Sequence, residues 1–184
     1  MDMRIITGTA RGRRLVTLDG LDVRPTPERV KEALFSIIQF DIEGRRVLDL
    51  FAGCGQLGIE ALSRSAASAV FVDSSAESVK TVKQNLETAG LLANAMVVHS
   101  DWHSFTAMCQ DVFDIAFLDP PYSAGLLEPA LGAVSNLMSD YGVIICEHPP
   151  EVVPPETAGG FKISRSYRYG KVLVTLYRKA EEHE

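Results

Sequence analysis

From residue 46 onward, short apolar runs alternate with amphipathic ones, and no other feature of the sequence limits the fold as much. Residues 47–50, 69–72, 95–99, 114–118 and 143–146 read as strands, being brief and rich in aliphatic and β-branched side chains. Residues 57–65, 75–89, 104–110 and part of 126–138 read as the helices between them. Parallel strands need such crossovers, so the alternation predicts a Rossmann-like α/β fold, a mostly parallel sheet with helices on both faces. The end of the chain differs. Residues 161–169 and 171–178 alternate around Gly170 and predict a closing antiparallel hairpin, after a proline-rich loop at 148–155.

Ahead of this core, residues 1–45 read as an extension. Residues 4–7 and 13–18 suggest two short strands in a hairpin around Gly8 and Gly12. In Pro25-Thr26-Pro27-Glu28, Thr26 suits a helix cap, Pro27 the first helical position and Glu28 the positive end of the dipole. Apolar residues at helical spacing then run through Phe40. At 184 residues the chain suits a single domain, with an extension at 1–45 and a catalytic core at 46–179.

Three scattered cysteines (Cys54, Cys109, Cys146) without CxxC spacing argue against disulfides and zinc, and for a cytoplasmic protein. Four histidines without ligand spacing add nothing for a metal, so none is expected. No apolar run reaches the roughly 20 residues of a membrane span, and Met1-Asp2-Met3-Arg4 does not open a secretory signal. A soluble monomer without membrane contact is expected.

The net charge of −6 disfavours a nucleic-acid partner until its distribution is read. Residues 4–31 hold seven basic groups against three acids, and residues 162–179 hold six against none. The stretch 47–161 holds three basic groups against fourteen acids. Basic ends that met in the fold would offer phosphates a positive face, with Arg11, Arg13 and Arg168 as candidates. Solvated surface charge is the plain alternative.

Asp49-Leu50-Phe51-Ala52-Gly53-Cys54-Gly55-Gln56-Leu57-Gly58 joins the first core strand to its helix. Glycines there allow a sharp turn and a close approach to a ligand, and the helix start favours an anionic group. Gly53, Gly55 and Gly58 satisfy G-x-G-x-x-G, with Asp73 downstream, so a dinucleotide competes with S-adenosylmethionine for this loop. Asp49 favours the latter, since an acid at the strand end suits a cationic amino group and not a pyrophosphate. Phe51 and Ala52 belong to the same cofactor-binding loop. Asp73 would accept the ribose hydroxyls, or cap a turn. Asp101 would meet the adenine edge, or cap the next helix; Trp102 would wall the adenine, or only pack. Cys54 reads as a space filler.

The fourth core strand ends in Asp119-Pro120-Pro121-Tyr122. An amino nitrogen on a planar ring is a poor nucleophile because its lone pair is delocalised. Asp119 offers a carboxylate, and the Pro120-Pro121 pair a carbonyl of fixed direction, to accept both N–H groups and aim the nitrogen. Tyr122 offers a face for an extruded base. Catalysis would then be largely orientation.

Taken together, several blocks make the chain similar to the 16S ribosomal RNA guanine-N2 methyltransferases of the RsmD type. They are Arg24-Pro25-Thr26 with Arg29-Val30-Lys31-Glu32-Ala33-Leu34-Phe35, the loop just described with Leu57-Gly58-Ile59-Glu60-Ala61-Leu62-Ser63-Arg64, Asp119-Pro120-Pro121-Tyr122, and Tyr169-Gly170-Lys171. The resemblance runs from about Arg4 to Arg178. It implies a class I methyltransferase fold, S-adenosylmethionine as donor, S-adenosylhomocysteine as product, and one guanine of small-subunit RNA, within a particle or assembly intermediate, as acceptor. It also implies that Arg24, Thr26 and Arg29 belong to the substrate or cofactor approach. Cys54 and Gln56 depart from the small residues expected in the loop. A DNA adenine or protein amide acceptor, or a non-catalytic RNA-binding factor, are the alternatives; the first would favour Asn at position 119, the second the loss of Asp119 or the glycines.

Overall fold

A computed structural model describes residues 3–19, 26–122 and 125–180. Strands β1 (Met3–Arg4) and β2 (Arg14–Leu15) form the expected antiparallel hairpin. Helix α1 (Glu28–Ile37) starts one residue later than the Thr26 cap implied, with Pro27 at its N-cap position and no side-chain capping bond. The Thr26 hydroxyl is used elsewhere, donating to Glu147 Oε2 at 2.7 Å. The helix also ends before Phe40, which is 92% exposed while Ile38 and Ile42 stay buried.

The core then alternates as predicted: β3 (Arg46–Asp49), α2 (Gln56–Ser63), β4 (Ser68–Asp73), α3 (Ala76–Ala89), β5 (Ala95–His99), α4 (Trp102–Met108), β6 (Phe113–Leu118), α5 (Leu127–Ser135) and β7 (Met138–His148). Two local signals set α3: the Ser75 hydroxyl accepts from the Ser78 N–H, and Gly90 closes the helix in left-handed conformation. Strands β8 (Thr157–Ala158), β9 (Phe161–Tyr169) and β10 (Val172–Lys179) finish the chain. Neither β8 nor the first half of β7 was evident in the sequence. Ser139, Asp140 and Gly142 break the apolar run there; Met138 still pairs with Phe113, and the residues between bulge before pairing resumes at Val143 with Ile115.

The main sheet has the order β5-β4-β3-β6-β7-β10-β9-β8. The first five strands are parallel, and β10, β9 and β8 add on antiparallel. Strand order reverses between β3 and β6, and in open α/β sheets such a switch leaves a crevice at the carboxyl edge. One face of the sheet buries Leu34 and Phe35 of α1, Ile59 of α2 and Leu86 of α3. The other buries Leu131 and Val134 of α5. Burial at about 25 cal/mol per Å² of apolar surface makes these two layers the main source of stability.

The N-terminal hairpin is held to α2 by a fully buried acid. Glu60 accepts the N–H groups of Ile6 (2.9 Å) and Thr7 (3.0 Å) and Arg64 Nε (2.9 Å). Lys31, 1% exposed, lies 3.7 Å from the same carboxylate and donates to the Arg4 carbonyl at 2.8 Å. Burial lowers the Lys31 pKa, and the Glu60 charge opposes that. The Ser63 hydroxyl donates to the Thr7 carbonyl at 2.6 Å, so several residues that carry the family resemblance (Lys31, Glu60, Ser63 and Arg64) form a clamp. Further along, Asn85 donates to the carbonyls of both Val16 and Cys54 at 2.9 Å, tying the extension to the glycine loop.

Candidate active site

Register brings a row of acids to the carboxyl edge of the sheet. Asp49, the last residue of β3, pairs with Phe71 of β4 on one side and Phe117 of β6 on the other. Asp73 ends β4. Leu118 of β6 pairs with Cys146 of β7, so Asp119 and Glu147 follow side by side on adjacent parallel strands.

Two of these acids shape the glycine loop. Asp49 Oδ2 accepts the Gly58 N–H at 3.0 Å, and Asp73 Oδ2 accepts the Gly53 N–H at 2.9 Å. Gly55, at φ +82°, starts α2, a conformation that favours glycine. A side chain at Gly58 would run into the Phe71 ring, so helix and strand approach here only because the residue is glycine. Burial raises the Asp49 pKa to about 7; the Gly58 N–H opposes the rise and the Asp73 charge adds to it.

The loop floors a cleft of about 640 Å³. Its lining includes Phe51, Ala52, Gly53, Asp73, Asp101, Trp102 and the whole of Asp119-Pro120-Pro121-Tyr122. Asp73 also accepts the Ser75 N–H through Oδ1 at 2.9 Å, so it orders the turn into α3 while bordering the cleft. Asp101 is exposed and caps α4, accepting the Ser104 N–H at 2.8 Å, a bond that lowers its pKa. Trp102 is half-buried and sets its ring edge-on to His103.

Beyond the proline turn lies a second recess of about 140 Å³, lined by Glu147, His148, Pro149 and Val152 among others. Pro120, Pro121 and Tyr122 border both cavities, so the turn is their shared wall. Asp119 is raised well above the usual carboxylate range by burial, then by the nearby charges of Glu147 and Asp49. Tyr122 donates its hydroxyl to Glu147 Oε1 at 3.3 Å.

Two residues at the site escaped the sequence reading. Glu147 directly follows the strand read at 143–146, as Asp73 and Asp119 follow those read at 69–72 and 114–118, and that recurrence is the available signal; β7 runs on through it to His148. Gln56, a departure from the family loop, lines the cleft and has its Oε1 buried without a hydrogen-bond partner among the described residues.

The basic candidates are not brought together. Arg13 donates to the Thr88 carbonyl near the end of α3, and the turn holding Arg11 packs on Ser63 at the end of α2; both helix ends point away from the cleft. Arg29 is exposed on the first turn of α1, and Arg24 lies outside the described residues. Arg168 shares a register row with Leu173 and His148, which puts it at the carboxyl edge. Lys162, Arg178 and Lys179 stand at the other edge, where Arg178 pairs with Asp41 (2.9 Å) and Lys179 with Asp140 (2.7 Å). Among the described residues, positive charge is therefore spread over both edges of the sheet, against the expectation of one face.

A family model described as "Conserved hypothetical protein 95" matches residues 3–178. A candidate rRNA methyltransferase of Bacillus subtilis, YlbH, is 40% identical over 183 residues, covering 96% of this chain and 99% of the relative. Ribosomal RNA small subunit methyltransferase D of Escherichia coli is 35% identical over 184 residues, covering 99% of this chain and 92% of the relative. Among solved structures, a candidate methyltransferase of Escherichia coli, yhhF, superposes with a TM-score of 0.88 at 34% identity, covering 97% of this chain and 98% of the other.

Proposed function

The chain belongs to the Conserved hypothetical protein 95 family, and on that footing we propose that it methylates the exocyclic N2 amino group of a guanine in 16S ribosomal RNA, with S-adenosylmethionine as donor. The observation that carries this reading is the Asp119–Tyr122 turn standing as common wall between a large acidic cleft and a small, mostly apolar recess. One cavity suits the donor and the other an extruded base.

The residues of the cleft, and Asp49 buried behind its loop, fit the donor. Asp49 is a buried carboxylate with raised proton affinity, suited to an α-ammonium group. Gln56 Oε1 is a buried acceptor without a donor among the described residues. Each oxygen of Asp73 already accepts one main-chain N–H and keeps a second lone pair for a ribose hydroxyl. S-adenosylmethionine, when bound, supplies a methyl group on a sulfonium, which needs no further activation.

This chain's own groups would do the rest. Asp119 accepts one N–H of the guanine amine, and the Pro120 carbonyl accepts the other, turning the nitrogen lone pair toward the methyl carbon. The C–N bond forms as the C–S bond breaks, and the excess proton on nitrogen passes to Asp119. Its raised proton affinity suits that step. The Tyr122 ring carries the base, giving up part of its 38% exposure. The acceptor is read as RNA within a small-subunit particle, met by a cytoplasmic monomer. A presented nucleotide needs only a local basic rim, which fits a chain of net charge −6 with scattered arginines.

The test is mass spectrometry of small-subunit RNA from cells with and without the gene. One N2-methylguanine should vanish with the gene and return on incubation of those subunits with protein and donor. An unchanged RNA, or transfer to duplex DNA instead, overturns the assignment.

A further inference from the structure

We propose that Glu147 is a positioning residue of the acceptor site, holding the Tyr122 phenol and the Thr26 hydroxyl in one arrangement beside Asp119, an inference that rests on the amino-methylation read above. The carboxylate is 6% exposed. Thr26 donates to Oε2 at 2.7 Å and Tyr122 to Oε1 at 3.3 Å, so each oxygen takes one hydroxyl. Those donors come from segments 96 residues apart in sequence, one just before α1 and one in the proline turn. Thr26 would otherwise be a helix cap, yet α1 starts without a side-chain cap. The hydroxyl faces Glu147 instead, which gives that threonine a purpose that capping does not.

Electrostatics points the same way. Burial raises Asp119 most, and the charges of Glu147 from β7 and Asp49 from β3, which face it, add to that. Glu147 is itself raised by burial but held back by its two hydroxyl donors. Hydrogen bonds to the charged form favour that form. Glu147 is therefore the member of the pair that keeps its charge, and Asp119 the one that takes the proton. His148, the next residue, does not intervene: its ring bonds to Thr175 Oγ1 at 2.8 Å and lies 3.1 Å from the Pro149 carbonyl. Glu147 thus orients the stacking platform and sustains the basicity of Asp119 from the wall of the recess.

Glu147→Gln keeps the shape and removes the charge. Three readouts decide the matter: S-adenosylhomocysteine affinity by calorimetry, the pH dependence of single-turnover methyl transfer to immature small subunits, and urea unfolding of Glu147→Gln, Thr26→Val and the double variant. Affinity should stay within about twofold, while the plateau rate falls about tenfold as the platform loses its orientation. The acid limb should move to lower pH, because Asp119 without a negative neighbour ionises more readily. The two unfolding effects should be non-additive. A lost rate with an unmoved acid limb would mark Glu147 as merely structural and overturn the proposal, as would a wild-type profile. Should the wild-type protein itself methylate no particle, the amino-methylation reading fails separately. The unfolding cycle then decides: additive effects overturn the Thr26–Glu147 link, and non-additive ones uphold it.

Discussion

The Gly53 N–H donates to Asp73 Oδ2 at 2.9 Å, so the acid that ends β4 also fixes the glycine loop that leaves β3. A carboxylate at this edge is usually assigned to one partner. Here it has a main-chain partner on each oxygen, Gly53 and Ser75, while bordering the cleft.

Asp73→Ala should therefore weaken S-adenosylhomocysteine binding by more than a single lost ligand bond would. A charged hydrogen bond contributes about 1.5–3 kcal/mol, and the loosened loop adds an ordering cost on top. Calorimetry should show a loss of at least about a hundredfold, the upper end of that range. Asp73→Asn keeps one acceptor and should fall in between. A loss below about fivefold for the alanine variant would contradict the double role.

Much of this site was legible in the sequence, for reasons that can be named. The strand–helix alternation depends on local periodicity, and the glycine loop on backbone conformations that few residues adopt. Both survive without tertiary information. Glu147 did not, because the apolar run stops at Cys146 and nothing local says that β7 continues alongside Asp119. Thr26 looked like a cap because capping is a local rule; its partner lies 121 residues away. Arg11 and Arg13 were grouped with the other basic residues by charge alone, and the hairpin carries them to the far ends of α2 and α3.

Gln56 carries a cost in the ligand-free fold. Leaving a buried acceptor unsatisfied costs about 1–3 kcal/mol, and Gln56 Oε1 has no partner among the described residues. Gln56→Met, similar in shape and without the amide, should raise the ligand-free melting temperature by several degrees. It should also reduce the further rise that S-adenosylhomocysteine produces. A melting temperature that drops, with ligand response intact, would show the amide to be satisfied in solution.

Glu60 makes the opposite case. It is fully buried and receives Ile6, Thr7, Arg64 and the Lys31 charge. Breaking a buried charged network by removing one member costs about 3–5 kcal/mol. Glu60→Ala should therefore destabilise the protein strongly in urea unfolding. Hydrogen exchange should quicken first at Ile6 and Thr7, whose N–H groups lose their acceptor. Uniform exchange across the chain would mean that Glu60 supports the fold generally and not the hairpin in particular.

Asp49 supplies a pH dependence whose sign can be worked out. Its pKa rises from the ordinary carboxylate value to about 7, chiefly through burial. A carboxyl that binds its proton more tightly in the folded state stabilises the protein below the unfolded pKa, and that stability is lost as pH rises toward 7. Ligand-free stability should thus decline between about pH 4 and 7 where this group dominates. Binding runs the other way. A cationic amino group prefers the ionised carboxylate, so affinity for S-adenosylhomocysteine should improve as pH rises through 7. If only the ionised form binds, affinity falls by about tenfold per unit well below that point. Calorimetry in buffers of different ionisation enthalpy should detect proton release on binding near pH 6.5. Asp49→Asn should bind more weakly at pH 8 and lose most of the pH dependence. A wild-type affinity that stays flat from pH 6 to 8 would remove Asp49 from the ammonium site.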